Sequence, residues 1–172
     1  MRDLTGEEGG FYSAENADSV PPEAAGGAAP HKAEGAFYLW RADELDALLG
    51  DDGPIVKRRF GVEAGGNAPV DPQQEFTGKN LLYEAAGIDD LAREFGKTAD
   101  DVTETLRRAR LVMFRERLGR PRPHLDDKIF PAWNGLMIAA FARVARVLRA
   151  LAPEGRAAGR PYLEAAQKAA AF

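Results

Sequence analysis

The sequence predicts a mainly α-helical fold in which helices are joined as hairpins, part of an α/α array or toroid with a short β-hairpin and long loops. Three observations predict it. Apolar residues recur at helical spacing behind a threonine cap at residue 98, an alanine-rich apolar run spans residues 131–151, and aromatic-rich extended segments are confined to two short glycine-bounded runs.

Those two runs are Gly-Phe-Tyr-Ser at 10–13 and Gly-Ala-Phe-Tyr-Leu-Trp at 35–40, read as two strands, the candidates for the hairpin, or as extended segments. The Pro, Ala and Gly-rich stretch 20–30 connects them. Residues 41–49 place Leu45, Leu48 and Leu49 at helical spacing and stop at Gly50; a second short helix follows over 54–60, with Pro54 in its first turn. Residues 61–78 lack periodicity, and Asn67, Asp71-Pro72 and Gly78 mark turns in a long loop. Residues 80–84 read as a brief extended piece. Residues 88–95 form a helix whose Asp89 and Asp90 suit its positive N-terminus.

Thr98 opens the clearest helix, with Asp101 three positions on and Val102, Leu106, Ala109, Val112, Met113 and Leu118 along it; Gly119-Arg120-Pro121 ends it. The helix at 131–151 has an apolar face wide enough for a position surrounded by other helices, and its small residues permit close packing. A last helix begins at Pro161 and runs to Phe172 without a stop signal, so the chain reads as cut inside it.

Composition narrows the function. The chain has no cysteine, which excludes disulfides, thiolate metal sites and a cysteine nucleophile within these residues. Residues 1–10 lack the order of a signal peptide and no run approaches membrane-spanning length, so the expected setting is cytoplasmic. Residues 1–100 carry 9 Lys+Arg against 20 Asp+Glu and the remainder 14 against 7, so the halves are −11 and +7. The arginines of the basic half are spread around helices instead of interleaved with aromatics, which argues against nucleic acid; mutual neutralisation within one domain spanning 1–172 is the simpler reading.

Three segments, 9–19, 34–40 and 124–137, combine carboxylates, aromatics and glycines. In the first, Glu15 and Asp18 are three apart, so on a helical turn both would face one way; a cap or a solvated pair is the alternative. In the third, Asp126 and Asp127 precede Lys128, which could hold one carboxylate ionised while the other does acid or base work, or could simply pin the loop. His124 brings an imidazole, the side chain most used for acid–base work, but lies in a proline-flanked loop where surface histidines are common; His31 is a weaker candidate. Tyr12, Tyr38, Trp40 and Trp133 could stack on a sugar ring, with core packing the competing role for the aromatics. Glu34, Lys79, Asn80, Lys128 and Asn134 complete the polar candidates for holding substrate. No His/Asp/Glu spacing matches a dedicated metal site, and no cofactor is expected.

The runs GGFYSAENADS, EGAFYLW, EFTGKN and RPRPHLDDKIFPAWNGLM, in this order, resemble the spermatogenesis-associated protein 20 family of thioredoxin-domain proteins, from Gly9 to about Leu148. The resemblance implies a thioredoxin-like domain before Met1, then an (α/α)6 barrel similar to those of N-acylglucosamine 2-epimerases and six-hairpin glycosidases. It makes this chain an internal fragment of the barrel. Asn16 departs from the family's SAEDADS pattern and removes one carboxylate from that site. The paired histidines of the sugar epimerases have one counterpart here, His124.

Two functions compete for the parent protein. One is a carbohydrate-active barrel, hydrolase or epimerase-like, with Glu15, Asp18, Asp126, Asp127 and His124 as acid and base and a small carbohydrate as ligand. The other is a non-catalytic binding or scaffold barrel that serves the thioredoxin-like domain. The fragment alone is expected to be inactive, with helix faces exposed that a complete ring would bury.

Overall fold

A computed structural model describes residues 3–27, 31–68, 71, 74–151 and 155–172. Parts of the loops expected at 20–30 and 61–78, including Pro72, lie outside the described residues. The fold is mainly helical, with two small two-stranded sheets. The chain divides into two compact units, Met1–Asn16 with His124–Phe172, and Ala17–Pro123.

The second of these opens with strands β2 (Asp18–Ser19) and β3 (Ala33–Glu34), paired antiparallel; strand β1 (Ala14–Glu15) precedes them in the other unit. Helices α1 (Ala42–Leu49), α2 (Gly53–Arg59), α3 (Ile88–Phe95) and α4 (Ala99–Leu118) follow. Each starts or stops on chemistry visible in the sequence. Gly96 ends α3 in the left-handed region, where a glycine meets no Cβ penalty. The Thr98 hydroxyl accepts from the Asp101 N–H at 3.1 Å while the Asp101 carboxylate accepts from the Thr98 N–H at 3.3 Å, so the expected capping box closes in both directions. Trp40, Leu45, Ile55, Val56, Leu91, Val102, Leu106, Ala109 and Met113 form one buried cluster. Leu45, Val56, Leu91 and Val102 are wholly buried, so each contributes the upper end of the roughly 1.5–3 kcal/mol that burial of such side chains is worth.

The other unit pairs β1 antiparallel with β4 (Leu125–Asp126) and packs a hairpin of α5 (Pro131–Leu151) and α6 (Gly155–Ala171). On α5 the buried or half-buried positions are Asn134, Ile138, Phe141, Ala145 and Leu148, a single stripe. The hairpin closes tightly at Gly159: a Cβ there would lie 2.8 Å from the Ala145 carbonyl oxygen, so only glycine permits this approach. Phe11 meets Phe141 edge-on at 5.3 Å, and Phe141 meets Tyr162 at 5.8 Å, an aromatic ladder from the N-terminal segment through both helices.

Three expectations need correction. The aromatic runs 10–13 and 35–40 do not pair with each other: Phe11 bridges to Thr5, residues 35–38 form a turn, and Trp40 bridges to Asn80. A ribbon is made instead by β2 and β3, while Phe11, Phe37 and Trp40 are buried in cores and residues 35–38 turn out of the extended course. Helix α6 begins at Gly155, six residues before the expected start, and Pro161 sits inside it; Ala157 and Ala158 carry the helix through the site where the proline forgoes one hydrogen bond. Glu15 and Asp18 do not share a helical turn, because both are extended and each joins a different ribbon.

Candidate functional site

In Ala17–Pro123 the register of the β2–β3 ribbon sets Asp18 directly opposite Glu34. Side chains directly opposite in an antiparallel pair share a face, with Cβ atoms roughly 4.5–5.5 Å apart. Both carboxylates are exposed. Two carboxylates thus share one face of the ribbon.

The residues after this ribbon are anchored from inside. Arg120, 4% exposed at its side chain, donates to the Phe37 and Leu39 carbonyls at 3.1 and 2.7 Å and to the Glu44 carboxylate at 2.6 Å. Its guanidinium also lies 3.9 Å from the centre of the Trp40 ring. Trp40 is thereby held in the core and offers no ring face to a sugar. Asn80 is equally committed: its side-chain oxygen accepts from the Glu63 N–H, and its amide donates to the Trp40 and Glu63 carbonyls. Lys79, largely buried, pairs with Glu23 at 3.3 Å. Asp71 accepts from the Glu75 and Phe76 N–H groups and the Thr77 hydroxyl, which winds the Glu75–Lys79 loop into a compact turn. Tyr38 alone of this segment's aromatics stays open, at 47% exposure.

In the other unit β1 sets Ala14 opposite Asp126 and Glu15 opposite Leu125. Successive strand residues point to opposite faces, so Glu15 and Asp126 look away from each other and cannot act as a facing acid and base across this ribbon. Asp126 pairs with Lys128 at 2.8 Å, and that hydrogen bond holds its carboxyl below the usual carboxylate range despite partial burial. An aspartate so held is ionised near neutral pH, suited to a base or an electrostatic role and not to a general acid. Asp127 and His124 are exposed, and the His124 carbonyl accepts from the Asn16 N–H at 2.8 Å. Tyr12 is half-buried, its ring against Gly6. Asn134 serves as a backbone surrogate: its side-chain oxygen accepts from the Phe11 N–H at 2.7 Å, and its amide donates to the Phe11 and Phe130 carbonyls. Trp133 is 58% exposed and packs against Phe130 at 4.8 Å, so one indole is available for stacking.

No family model matches the chain. Curated relatives do. The human spermatogenesis-associated protein 20 is 38% identical over 159 residues, 86% of this chain and 20% of that protein; the rat protein of the same name is 35% identical over 161 residues. The chain is homologous to spermatogenesis-associated protein 20. An uncharacterized protein of Caenorhabditis elegans is 30% identical over the whole chain and 23% of its own length. The chain thus spans about one fifth of the length of these relatives.

Homology to spermatogenesis-associated protein 20 agrees with the four motifs read from the sequence, while the geometry redistributes their residues. Asn80 and Asn134 are occupied in holding backbone, and Trp40 is buried against Arg120; Asp18, Glu34, Tyr38, Asp127, Lys128 and Trp133 are exposed. Among the described residues no group of three or more His, Asp or Glu side chains gathers to hold a metal. None of the helices among them is long and apolar enough to cross a membrane. Sequence reasoning missed Arg120, reading it as part of a helix stop; its buried guanidinium organises the segment that carries Phe37 to Trp40.

Proposed function

We propose that the parent protein's helical domain is a carbohydrate-active α/α toroid, and that Asp18 and Glu34 are the carboxylates this chain contributes to it. The observation that carries this reading is their register: two exposed carboxylates directly opposite on one face of a ribbon. Glycosidases work with a pair of carboxyl groups flanking the bond, one as acid and the other as nucleophile or base. Exposed Tyr38 supplies an aromatic ring in the same unit.

Helix α5 supports the toroid. Besides the stripe that faces α6 it carries a second apolar stripe of Trp133, Met137, Val144, Val147 and Leu151, all exposed and about 100° round the helix. A helix apolar over so wide an arc belongs between two neighbours, as in a ring of hairpins. The thioredoxin-like domain of the parent protein is then the redox partner in the same polypeptide.

A scaffold barrel without turnover is the second reading, favoured by the structural employment of Trp40, Asn80 and Asn134. A glycan and sugar-phosphate screen for binding and hydrolysis on the full-length parent separates the two. For the enzyme, Asp18→Asn with Glu34→Gln lowers turnover at least 100-fold. Turnover that survives the double variant removes this pair, and binding without turnover in the wild type selects the scaffold.

A further inference from the structure

A groove of about 830 Å³ in Ala17–Pro123 is lined by neither Asp18 nor Glu34. One wall is the outer face of α4, where Arg107, Arg110, Phe114 and Arg117 follow at spacings of three, four and three residues and therefore share a side. The rest of the lining is Phe60, Leu82 and Ile88, the mutually paired Arg59 and Glu84, and the buried Leu106 and Met113. Such a volume suits a small organic ligand.

The charges are unequal. Arg59, also on the groove, is paired with Glu84 at 2.5 Å and donates to the Ala86 carbonyl, and Arg107 is chelated by Glu104 at 2.7 Å. Arg110 is exposed and has no acidic partner among the described residues. Arg117 is packed against the rings of Phe37, Tyr38 and Phe114 at 5.4–5.7 Å, and its Nε is a buried donor that meets no acceptor among the described residues. A buried N–H left without an acceptor is costly, and an unpaired guanidinium beside exposed aromatic and aliphatic side chains is an uncompensated charge on an apolar surface. Leu111 and Phe114, 46% and 41% exposed, supply that surface.

We propose that this groove binds a small amphiphilic anion: an aromatic or aliphatic body laid along Phe60, Leu111 and Phe114, with a phosphate or carboxylate head on Arg110 and toward Arg117. The guanidinium fork of Arg110 matches such a head in two hydrogen bonds, and the apolar walls exclude a bare, strongly hydrated ion. This site is independent of the carboxylate pair and requires no turnover.

The test uses 2-naphthyl phosphate as probe, titrated by fluorescence into the 172-residue chain, with 2-naphthol and inorganic phosphate as the uncharged and the body-less comparisons. The expected result is binding of 2-naphthyl phosphate at least tenfold tighter than of either comparison, weakened at least fivefold by Arg110→Gln and by raised salt. Arg93→Gln, a like change on α3 outside the groove, leaves it within twofold. Circular dichroism of the Arg110→Gln chain establishes that it is folded; this residue is exposed and bonds nothing described, so the helix is retained. Equal binding of 2-naphthol, equal binding of inorganic phosphate, no binding of the probe, or an affinity indifferent to Arg110→Gln would each overturn the proposal.

Discussion

The two units use the same polar device around different cores. In Ala17–Pro123 a buried asparagine, Asn80, clips Trp40 to Glu63 over a cluster of fully buried leucine, isoleucine and valine side chains. In the other unit Asn134 clips Phe11 to α5 in the same manner, but the buried positions beyond it are small, Ala145, Ala166 and Ala169, and the large side chains Leu136, Val147 and Leu151 face solvent. A satisfied polar clip orients a segment; it does not replace buried area. Stability should therefore concentrate in the first of these units, and the α5–α6 hairpin should be the element awaiting neighbours.

The widest expected contrast is between core truncations. Leu45→Ala should cost about 3 kcal/mol in urea unfolding, because a wholly buried leucine leaves a cavity, whereas Val147→Ala on the open face of α5 should change stability by less than about 0.5 kcal/mol. A comparable loss at both positions would break the contrast. Next are the clips: Asn80→Ala and Asn134→Ala should each cost roughly 2 kcal/mol by stranding backbone groups, but the second should loosen only the N-terminal segment and α5, seen as lost amide protection around Phe11. Gly159→Ala should cost about 1–2 kcal/mol, since the added Cβ forces the hairpin apart at Ala145.

The smallest effect is on pH. The hydrogen bonds from Thr98 hold the Asp101 carboxyl below the usual range, so this cap's contribution is present above about pH 4 and is lost as pH falls through the lowered native value. Asp101→Asn should flatten that acid limb of a thermal-melt series without altering the neutral-to-basic limb.

Helices were legible where one local rule decided them. The Thr98 cap, the glycine stop at 50 and the acidic first turn of α3 each act over a single turn, and the apolar patterns of α4 and α5 did not need the rest of the fold. Pro161 misled because proline marks a first turn more often than an interior, and the alanines before it outweigh one missing bond. The ribbons were hidden for a different reason: strands of two residues leave no alternation to read, so the partner of Asp18 emerged from chain topology alone. For the same cause Trp40 and Asn80 looked like ligand contacts, since a polar or aromatic residue in a glycine-rich loop reads alike whether it faces a ligand or a neighbouring backbone. Arg120 gave one faint signal, a basic residue set between a helix end and two prolines.

Native-state hydrogen exchange resolved by residue on the 172-residue chain tests the difference between the units most directly. The account predicts that amides of Val102, Leu106 and Ala109 in α4 exchange only through the largest opening of the chain, with protection at least 100-fold above that of Val144 to Leu148 in α5. Equal protection of α4 and α5 would contradict it, because the open-faced hairpin would then be as self-sufficient as the closed core.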